Sequence, residues 1–400
     1  MSEFDVAIVG AGPAGSTAAI ALHESGLRVA LIDKAVFPRD KTCGDALSPD
    51  VVNQLGMLPL DTAQLFDQMD EKIWCKAVRF VSPDYSKADV SLNNTGLLGY
   101  VSPRLDFDAF MFNQAIQSDC VTAFLGESVK KIVHEENRIN IELENGENIS
   151  ASIVLGADGA HSVVARSLSD ERPDKNHHCA GLRQYYENVT GFSDDNAVEL
   201  HFYNELLPGY FWVFPLPGNR ANVGLGMLSS VVAKRKPNLK KLLKEIIETH
   251  PNVKDRFAHA KPLEEIKGFG LPLGSKKRKL SGNRYLLLGD AASLINPLSG
   301  EGIGNAIRSG RVAADHVIEA FIQQSFDAKF NKAYDNEIYR RMWGELRLNY
   351  WVQRIMRNER LCNFIVKRAI SNSFIQELIM SGFSASSLKS RIFGDGKIKQ

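Results

Sequence analysis

The run Val6-Ala-Ile-Val-Gly-Ala-Gly-Pro-Ala-Gly15 decides the fold of this chain of 400 residues. Val6 to Val9 is a short apolar run of the kind found in buried parallel strands. It leads directly into Gly10-x-Gly12-x-x-Gly15, and the alanine-rich segment that follows is predicted to be a helix. A second apolar run ends at Asp33, 18 residues beyond Gly15. Strand, glycines, helix, strand and acid in this order predict a dinucleotide-binding unit.

Each residue of this motif has a physical role in binding a nucleotide. Gly10 permits the tight turn, Gly12 lets the backbone approach a pyrophosphate, and Gly15 lets the helix pack closely on the strand. Pro13 suits the first helical turn, where it sacrifices no hydrogen bond. The free N–H groups at the helix start then favour the anion. Asp33 is predicted to bind a ribose with a free 2′-hydroxyl, which fits FAD or NAD rather than NADP.

Three later segments indicate that the dinucleotide is FAD. Tyr285-Leu-Leu-Leu-Gly289-Asp290 and Ile153-Val-Leu-Gly-Ala-Asp158-Gly159 are predicted strands that lead into a carboxylate. Ser299-Gly-Glu-Gly-Ile-Gly304 opens a predicted helix that runs to about Ala320. A long bipartite ligand needs two anchors, and these segments supply a second acid and a second glycine-rich helix start. The positive end of that helix would stabilise the negative charge of reduced flavin.

In this order and at this spacing, the motifs resemble the p-hydroxybenzoate hydroxylase superfamily of flavoproteins. The matching pieces are the GxGxxG run, Asp158-Gly159 and Gly289-Asp290 to Pro297, so the resemblance covers everything but the C-terminal tail. Arg104 matches a family arginine that sits over the FAD. The resemblance implies an α/β fold with a Rossmann-like FAD-binding domain of the glutathione-reductase type. It also implies an inserted antiparallel β-sheet substrate domain and a C-terminal helical region.

Two further segments are similar to the geranylgeranyl reductase group of this superfamily. Phe37-Pro-Arg-Asp-Lys-Thr-Cys43-Gly44-Asp45-Ala46-Leu47-Ser48-Pro49 resembles its Pro-Cys-Gly-Gly-Gly-Leu-Ser segment, with Asp45 and Ala46 in place of glycines. Pro208-Gly-Tyr210-Phe-Trp212-Val-Phe214-Pro215 resembles its Tyr-x-Trp-x-Phe-Pro motif. The resemblance implies an FAD-dependent oxidoreductase that reduces carbon–carbon double bonds of a prenyl lipid by hydride transfer from reduced flavin. Asp45 is also reminiscent of halogenases, so a flavin-dependent monooxygenase or halogenase acting on an aromatic or polyketide substrate is the alternative.

The expected catalytic residues are Cys43, Tyr210 and Trp212. Period-two alternation puts Tyr210, Trp212 and Phe214 on one face of a strand, where they would form an aromatic wall beside the flavin. The proton donor is expected to be Cys43, Tyr210 or a held water, rather than an ionised Asp45. The residues show no recognisable Ser/His/Asp triad, carboxylate pair or metal site. The expected cofactor-binding residues are Gly10, Gly12, Pro13, Ala14, Gly15, Asp33, Lys34, Cys43, Gly44, Asp45, Arg104, Val129, Asp158, Gly159, Gly289, Asp290, Pro297, Gly300, Gly302, Ile303 and Gly304.

The FAD-binding domain is predicted to be discontinuous, at residues 1–70, 101–170 and 271–325. The substrate domain is predicted at 71–100 and 171–270, and a C-terminal helical region at 326–400. Pro237 to His250 is predicted to be one amphipathic helix. Five strand-like runs separated by turn residues predict a single antiparallel sheet. They are Lys76–Val81, Gly181–Glu187, Ala197–Tyr203, Gly209–Phe214 and Asn222–Met227.

Composition restricts the remaining possibilities. With 48 Lys and Arg against 47 Asp and Glu, the chain has a net charge of +1 and is not built for nucleic acid. Five scattered cysteines without a CxxC motif indicate a reducing cytosol, where no disulfide or zinc site is expected. The sequence shows neither a leader-like segment nor an apolar run of about 18 residues, so a cytoplasmic location is expected.

Two questions stay open at the level of the sequence, besides the oligomeric state. The aromatic and basic segment Tyr339–Arg368 predicts either a helix packed on the catalytic domains or an interfacial helix that touches anionic lipid. The second possibility would place the protein peripherally at the inner face of the membrane. The expected partner is a hydrophobic small molecule or lipid, and the electron donor is either NAD(P)H or ferredoxin.

Overall fold

The computed structural model describes residues 2–92, 99–172, 174–373 and 375–376 of the chain. Within these residues the chain forms strands β1 to β19. In chain order they are Ser2–Val9, Val29–Asp33, Ala46–Leu47, Ile73–Cys75, Ala77–Val81, Lys87–Ser91, Gly99–Val101, Val121–Leu125, Val129–His134, Ile139–Leu143, Asn148–Gly156, His178–Glu187, Val198–His201, Tyr210–Leu216, Arg220–Leu228, Lys261–Pro262, Lys267–Pro272, Ser281–Gly282 and Tyr285–Leu287.

The same residues form helices α1 to α10. In chain order they are Pro13–Ala21, Pro49–Leu55, Thr62–Asp67, Arg104–Ala115, Val163–Leu168, Ser229–Arg235, Leu239–Thr249, Ile303–Ile322, Ala328–Ile355 and Glu359–Ala369. The helix predicted to open at Ser299 therefore begins at Ile303 and runs two residues beyond Ala320. A 3-10 turn at Gly289–Ala292 follows β19 directly.

The first sheet has the strand order β18-β19-β11-β1-β2-β8, and the five strands from β19 to β8 are parallel. The first half of β11 also pairs antiparallel with β10, which in turn pairs with β9. Because parallel strands end at one edge of a sheet, the segments after β1, β2, β11 and β19 meet there. This edge brings the glycine motif, Asp33, Asp158 and Asp290 together, although they lie up to 280 residues apart in sequence.

Two glycines allow the close contact of α1 with the sheet that the motif predicts. Gly10 has a φ of +101°, a left-handed conformation that L side chains rarely adopt. A Cβ atom at Gly15 would lie 1.8 Å from the carbonyl oxygen of Gly10. The structure therefore confirms that Gly15 is required for close packing of helix on strand.

The second sheet has the order β16-β12-β15-β14-β13-β5-β6, with β17 also paired to β12. All five predicted strands belong to it, which confirms a single sheet. The sheet is antiparallel except for the pair β13 and β5, whose parallel register corrects the fully antiparallel prediction. Helix α7, predicted as amphipathic, packs on its outer side with Leu243, Ile246 and Ile247 buried. A small third sheet, β3-β7-β4, has no strand pairing with either among the described residues, and its Cys75 and Val101 pack in one cluster with Trp212 of the second sheet.

The C-terminal helices pack on both sheets. Asp327 begins α9 by accepting hydrogen bonds from the backbone N–H groups of Lys329 and Phe330. The first half of α9 contributes Tyr334 and Met342 to the core around the parallel sheet. Helix α10 packs in the same cluster as Trp212 of the second sheet.

Part of the predicted C-terminal helical region, residues 374 and 377–400, lies outside the described residues. Among the helices that the structure describes, none combines the length and the apolar character needed to cross a bilayer.

Candidate active site

A cavity of about 780 Å³ runs from the carboxyl edge of the parallel sheet to the inner face of the second sheet. The predicted catalytic and cofactor residues line it, except Gly15, Gly289 and Gly304. These three glycines lie beneath the surface of the cavity, where the lack of a side chain permits close packing of neighbouring residues. The volume lies in the range of cavities that hold cofactors and drug-sized ligands.

The nucleotide end of the cavity is organised by Asp33. One carboxylate oxygen of Asp33 accepts the backbone N–H of Ala11 at 2.7 Å, and the other accepts that of Ala35 at 2.9 Å. These bonds fix the glycine loop relative to the end of β2. Each oxygen keeps a second acceptor site, which is what a ribose hydroxyl requires.

A buried cluster of two arginines and one acid lies beside this loop. Arg104 donates to both oxygens of Asp108, from Nε at 2.6 Å and from Nη2 at 2.7 Å, and Arg39 also donates to Asp108. Burial opposes ionisation, yet the two guanidiniums hold the pKa of Asp108 below its ordinary value. Two cations against one anion leave a net positive charge, which suits a pyrophosphate. The sequence analysis found Arg104 but missed Arg39 and Asp108.

The opposite end of the cavity is an apolar chamber with an aromatic wall. Tyr210, Trp212 and Phe214 line the cavity, whereas Phe211 and Val213 belong to a separate hydrophobic cluster on the other face of β14. This confirms the alternation predicted from the sequence. The hydroxyl of Tyr210 donates to the carbonyl oxygen of Ser299. The aliphatic and sulfur-containing residues of the chamber are Cys75, Val78, Leu92, Val198, Leu200 and Leu298.

Asn222 joins the Cys43 loop to this wall. Its side-chain Nδ2 donates to the carbonyl oxygen of Cys43 and to Oδ2 of Asp45, both at 2.7 Å. Its Oδ1 accepts the indole N–H of Trp212 at 2.9 Å. A Cβ atom at Gly44 would lie 2.9 Å from the ring of Phe214, so the loop contacts the wall directly. The Asn222 side chain thus fixes the position of the Cys43 loop relative to Trp212 of the aromatic wall.

Asp45 is completely buried in this network. Its Oδ2 also accepts the hydroxyl of Tyr185 at 2.6 Å, while among the described residues its Oδ1 has no hydrogen-bond partner. Burial raises the pKa of Asp45 to about 6, against the hydrogen bonds from Tyr185 and Asn222 that favour its charge. A fraction of Asp45 is therefore protonated near neutral pH, whereas the sequence analysis discounted it as an ionised group.

The sequence analysis missed Tyr185 and Asn222, and also Arg183, whose guanidinium lies 3.9 Å from the ring centre of Tyr185. All three lie in strand-like runs that were recognised. The available signal was their polarity, because a polar side chain in a buried strand usually has a specific partner. That signal does not say which partner.

A pair of carboxylates that the sequence did not reveal lies near the start of α8. A Cβ atom at Gly304 would lie 2.6 Å from both Asp50 Oδ2 and Glu301 Oε1, so the two acids approach each other closely. Ser48 is the N-cap residue of α2 but makes no side-chain cap. Its hydroxyl donates instead to Glu301 at 2.5 Å. Burial, followed by the charge of Asp50, raises the pKa of Glu301 to about 8.

These residues fit an FAD. The glycine loop has no side chain where the pyrophosphate must approach, Asp33 has free acceptor sites, and the arginine cluster carries net positive charge. Asp158 also lines the cavity, and its Oδ1 has no partner among the described residues. Its Oδ2 caps α5 by accepting the backbone N–H groups of Val163 and Val164.

Comparison with known proteins agrees with this site. The family model described as an FAD binding domain matches residues 3–344. Digeranylgeranylglycerophospholipid reductase 1 of Methanopyrus kandleri is 32% identical, over 84% of this chain and 85% of its own. The chain belongs to the geranylgeranyl reductase family of flavoproteins. It is therefore an FAD-dependent oxidoreductase, as its motifs predicted.

A second sequence relative and several solved structures are also similar to this chain. A menaquinone reductase of Mycobacterium tuberculosis is 30% identical over 78% of this chain and 76% of its own. A geranylgeranyl bacteriochlorophyll reductase-like structure from Thermoplasma acidophilum superposes with a TM-score of 0.81 at 23% identity. It covers 96% of this chain and 98% of its own. Solved flavin-dependent halogenases share the fold at 17–19% identity, which shows the architecture alone.

Proposed function

We propose that this flavoprotein reduces carbon–carbon double bonds of a prenyl lipid. The observation that carries the proposal is one continuous cavity that joins a nucleotide loop to an apolar, aromatic-walled chamber. An isolated double bond offers a protein no charge to bind, so recognition must come from apolar contact along the chain. Relatives at 30–32% identity are named for reducing a digeranylgeranyl glycerophospholipid and menaquinone, both of which carry prenyl chains.

The two ends of the cavity have different tasks in this reaction. Bound FAD, once reduced, supplies the hydride. Asp33 and the Arg39–Arg104 pair hold the adenosine and pyrophosphate, which fixes the position of the rest of the cofactor. The wall of Tyr210 and Trp212 packs the prenyl chain and excludes water.

The three predicted catalytic residues have different surroundings, which limits their roles. The Tyr210 hydroxyl is engaged with the carbonyl of Ser299, and burial raises the pKa of Tyr210 above its ordinary value. The Trp212 N–H is engaged with Asn222. We therefore propose that Tyr210 and Trp212 shape the chamber, and that Cys43 closes it from the loop side.

An anaerobic reduction assay tests the function. The FAD-loaded protein, with dithionite as reductant, is incubated with a digeranylgeranyl glycerophospholipid and, separately, with menaquinone. We expect mass spectrometry to show a gain of two hydrogens for each double bond reduced, with free FAD and dithionite as the blank. The proposal would be contradicted if the protein reduced neither lipid and instead consumed oxygen to hydroxylate or halogenate an aromatic or polyketide substrate.

A chamber variant adds a structural control. Leu200→Trp fills the apolar chamber and should abolish reduction of the lipid while the flavin content stays unchanged. Leu263 is 48% exposed and does not line the cavity, so Leu263→Trp is the matched substitution and should reduce lipid at the wild-type rate. Equal rates for the two variants would show that the chain of the substrate lies elsewhere.

We further propose that α9 and α10 contact an anionic membrane surface from the cytoplasmic side. Leu348, Trp351 and Ile355 lie three and four residues apart on one face of α9, with exposures of 42%, 54% and 46%. On α10, Leu361 and Phe364 are similarly exposed, at 44% and 55%. Exposed arginines accompany them, which is the composition of an interfacial helix. They are Arg347, Arg354, Arg357, Arg360 and Arg368.

Vesicle sedimentation of the full chain tests this contact. Wild-type protein should bind phosphatidylglycerol vesicles, and added salt should weaken the binding because charge contributes to it. The double variant Trp351→Glu/Phe364→Glu should bind roughly tenfold more weakly or worse, a loss of at least about 1.4 kcal/mol. Trp74 is 41% exposed on β4, so Trp74→Glu is the control and should bind as the wild type does. Undiminished binding by the double variant would refute the contact.

A further inference from the structure

Asp50 and Glu301 form a closely spaced pair of acids, and among the described residues a guanidinium forms an ion pair with Asp50 and not with Glu301. Arg308 donates to Asp50, and both side chains of that ion pair are nearly inaccessible. Glu301 has a neutral donor instead, the hydroxyl of Ser48. A third acid, Glu345 of α9, adds negative charge nearby and accepts from the Asn296 amide at 3.1 Å. Arg308 thus pairs with Asp50, and Glu301, whose described donor is neutral, is the acid of this pair that holds its proton more readily.

Glu301 differs from its partner in its access to the cavity. Asp50 is 4% exposed and lies behind the wall, whereas Glu301 is partly accessible and lines the cavity. It lies deep in the protein, so its accessible part faces this cavity rather than the outer surface. The residue before it, Gly300, would place a Cβ atom 3.0 Å from the hydroxyl of Tyr210. The segment Gly300-Glu301 therefore lies between the aromatic wall, which Gly300 approaches, and the start of α8.

We propose that Glu301 carries a proton in the resting protein and donates it to the substrate carbon that does not receive the hydride. This assignment rests on the proposed prenyl reduction and adds its proton source. Two other acidic groups of the cavity, Tyr210 and Asp45, are worse placed. The Tyr210 hydroxyl donates to a carbonyl, and the Asp45 side chain is completely enclosed by Tyr185, Asn222 and their neighbours.

The reaction balances with Glu301 in this role. The hydride of the reduced cofactor brings one electron pair and forms a C–H bond at one carbon. The π bond breaks, and its electron pair forms a second C–H bond with the proton from Glu301. The cofactor is left oxidised and Glu301 is left as a carboxylate. Asp50 and Glu345 disfavour that charge, so Glu301 takes a proton from water before the next turnover.

The groups that face Glu301 set the pH range in which its carboxyl group is protonated. Ser48 and Asp50 face it from the start of α2, Arg308 from α8 and Glu345 from α9. Burial and the two acids raise the pKa of Glu301 to about 8, while Ser48 and Arg308 oppose them. The protonated form therefore prevails below about pH 8 and is lost above it.

Reoxidation of the reduced flavin by substrate measures the donor directly. The FAD-loaded full chain is reduced with dithionite under argon and mixed with the digeranylgeranyl lipid or menaquinone, and the flavin absorbance is followed. Loss of a general acid costs on the order of 100-fold or more in rate, so we expect this slowing in Glu301→Gln. Glu319 is exposed at the far end of α8, and Glu319→Gln should match the wild type. Unchanged flavin content and unchanged reduction by dithionite would show that Glu301→Gln is folded.

The pH profile separates proton donation from a structural role. The wild-type rate should fall about tenfold for each pH unit above 8, whereas the slow rate of Glu301→Gln should not change over this range. Glu301→Asp should recover part of the rate. A Glu301→Gln rate within threefold of the wild type, or an alkaline decline that persists in this variant, overturns the proposal.

An infrared measurement distinguishes this proposal from the function on which it rests. Without substrate at pH 7, the wild type should show a carbonyl band of a protonated carboxyl that is missing from Glu301→Gln, while the weaker band of the partly protonated Asp45 should remain in both. Absence of the Glu301 band in the wild type overturns the proposal even when the lipid is reduced. If the band is present but neither lipid reoxidises the flavin, the proposed prenyl reduction fails and the donor role fails with it.

Discussion

The nucleotide end and the substrate end of the cavity are built in opposite ways. At the nucleotide end, the bonds from Ala11 and Ala35 to Asp33 span 22 and 2 residues, and their donors are backbone N–H groups. At the substrate end, the bonds from Tyr185 and Asn222 to Asp45 span 140 and 177 residues, and that from Ser48 to Glu301 spans 253. The glycine loop and Asp33 depend on local chain geometry, whereas the substrate end depends on side chains that only the complete fold brings together.

This difference predicts different kinds of failure. In the glycine loop, a substitution is expected to disrupt the structure by steric collision, because the backbone already occupies the space that a new side-chain atom would need. A buried hydrogen-bond network fails when one member is removed, because the partners left behind cannot reach water. Substitutions at the two ends should therefore separate cofactor binding from catalysis.

The largest effect is expected at the nucleotide end. In Gly15→Ala the new Cβ would lie 1.8 Å from a backbone oxygen, so α1 must move off the strand. We expect the purified protein to contain no flavin and to lose more than about 4 kcal/mol of unfolding free energy. Flavin absorbance and urea denaturation measure the two quantities. A yellow, stable variant would show that the contact is not required.

The next effect is expected in the chamber. Asn222→Ala leaves the Trp212 N–H, the Asp45 carboxyl and the Cys43 carbonyl without this partner, at a cost of about 3–5 kcal/mol in unfolding free energy. Because the nucleotide loop is untouched, FAD affinity measured by fluorescence titration should change less than threefold, while turnover is lost. A parallel loss of FAD affinity would contradict the separation of the two ends.

Asp45 should give the chamber a pH dependence opposite in sign to that of Asp108 at the nucleotide end, whose pKa is lowered. The pKa of Asp45 is raised from 3.8 to about 6 on folding, so the folded state holds the proton longer than the unfolded state does. Stability conferred by the neutral form is present below about pH 4 and is lost as the pH rises through about 6.

Asp45→Asn removes this titration. Between pH 4 and pH 7 its unfolding free energy should therefore gain up to about 3 kcal/mol relative to that of the wild type. Urea denaturation at the two pH values measures the change, and Asp315→Asn on the exposed face of α8 is the control. A constant difference between Asp45→Asn and the wild type would mean that Asp45 stays ionised in the fold.

The smallest effect is expected where a glycine serves neither end. A Cβ atom at Gly344 in α9 would meet nothing within 4 Å. Gly344→Ala should therefore raise the unfolding free energy by about 0.5–1 kcal/mol and leave flavin content unchanged. Thermal denaturation checks this, and destabilisation would show that α9 needs a glycine there. The same change thus has opposite signs at Gly15 and Gly344.

The sequence alone predicted the FAD fold, the glycine motif and Asp33 of the nucleotide end, and the alternating faces of β14. These features follow from local backbone geometry, so a short run of residues is enough to predict them. They are the motif glycines, Asp33 and the period-two pattern of the strand. The division into domains at 1–70, 101–170 and 271–325, 71–100 and 171–270, and 326–400 stays a prediction. So do the catalytic assignments of Cys43, Tyr210 and Trp212.

Only the tertiary structure brought Tyr185 and Asn222 to Asp45, and Asp50 and Arg308 to Glu301. It also changed the interpretation of two carboxyl groups, because ionisation depends on burial and on the charges nearby. Neither quantity is a property of a short segment. The local geometry of the backbone thus determined the glycine loop proposed to hold the cofactor, and long-range packing determined the burial and the neighbours of the acids.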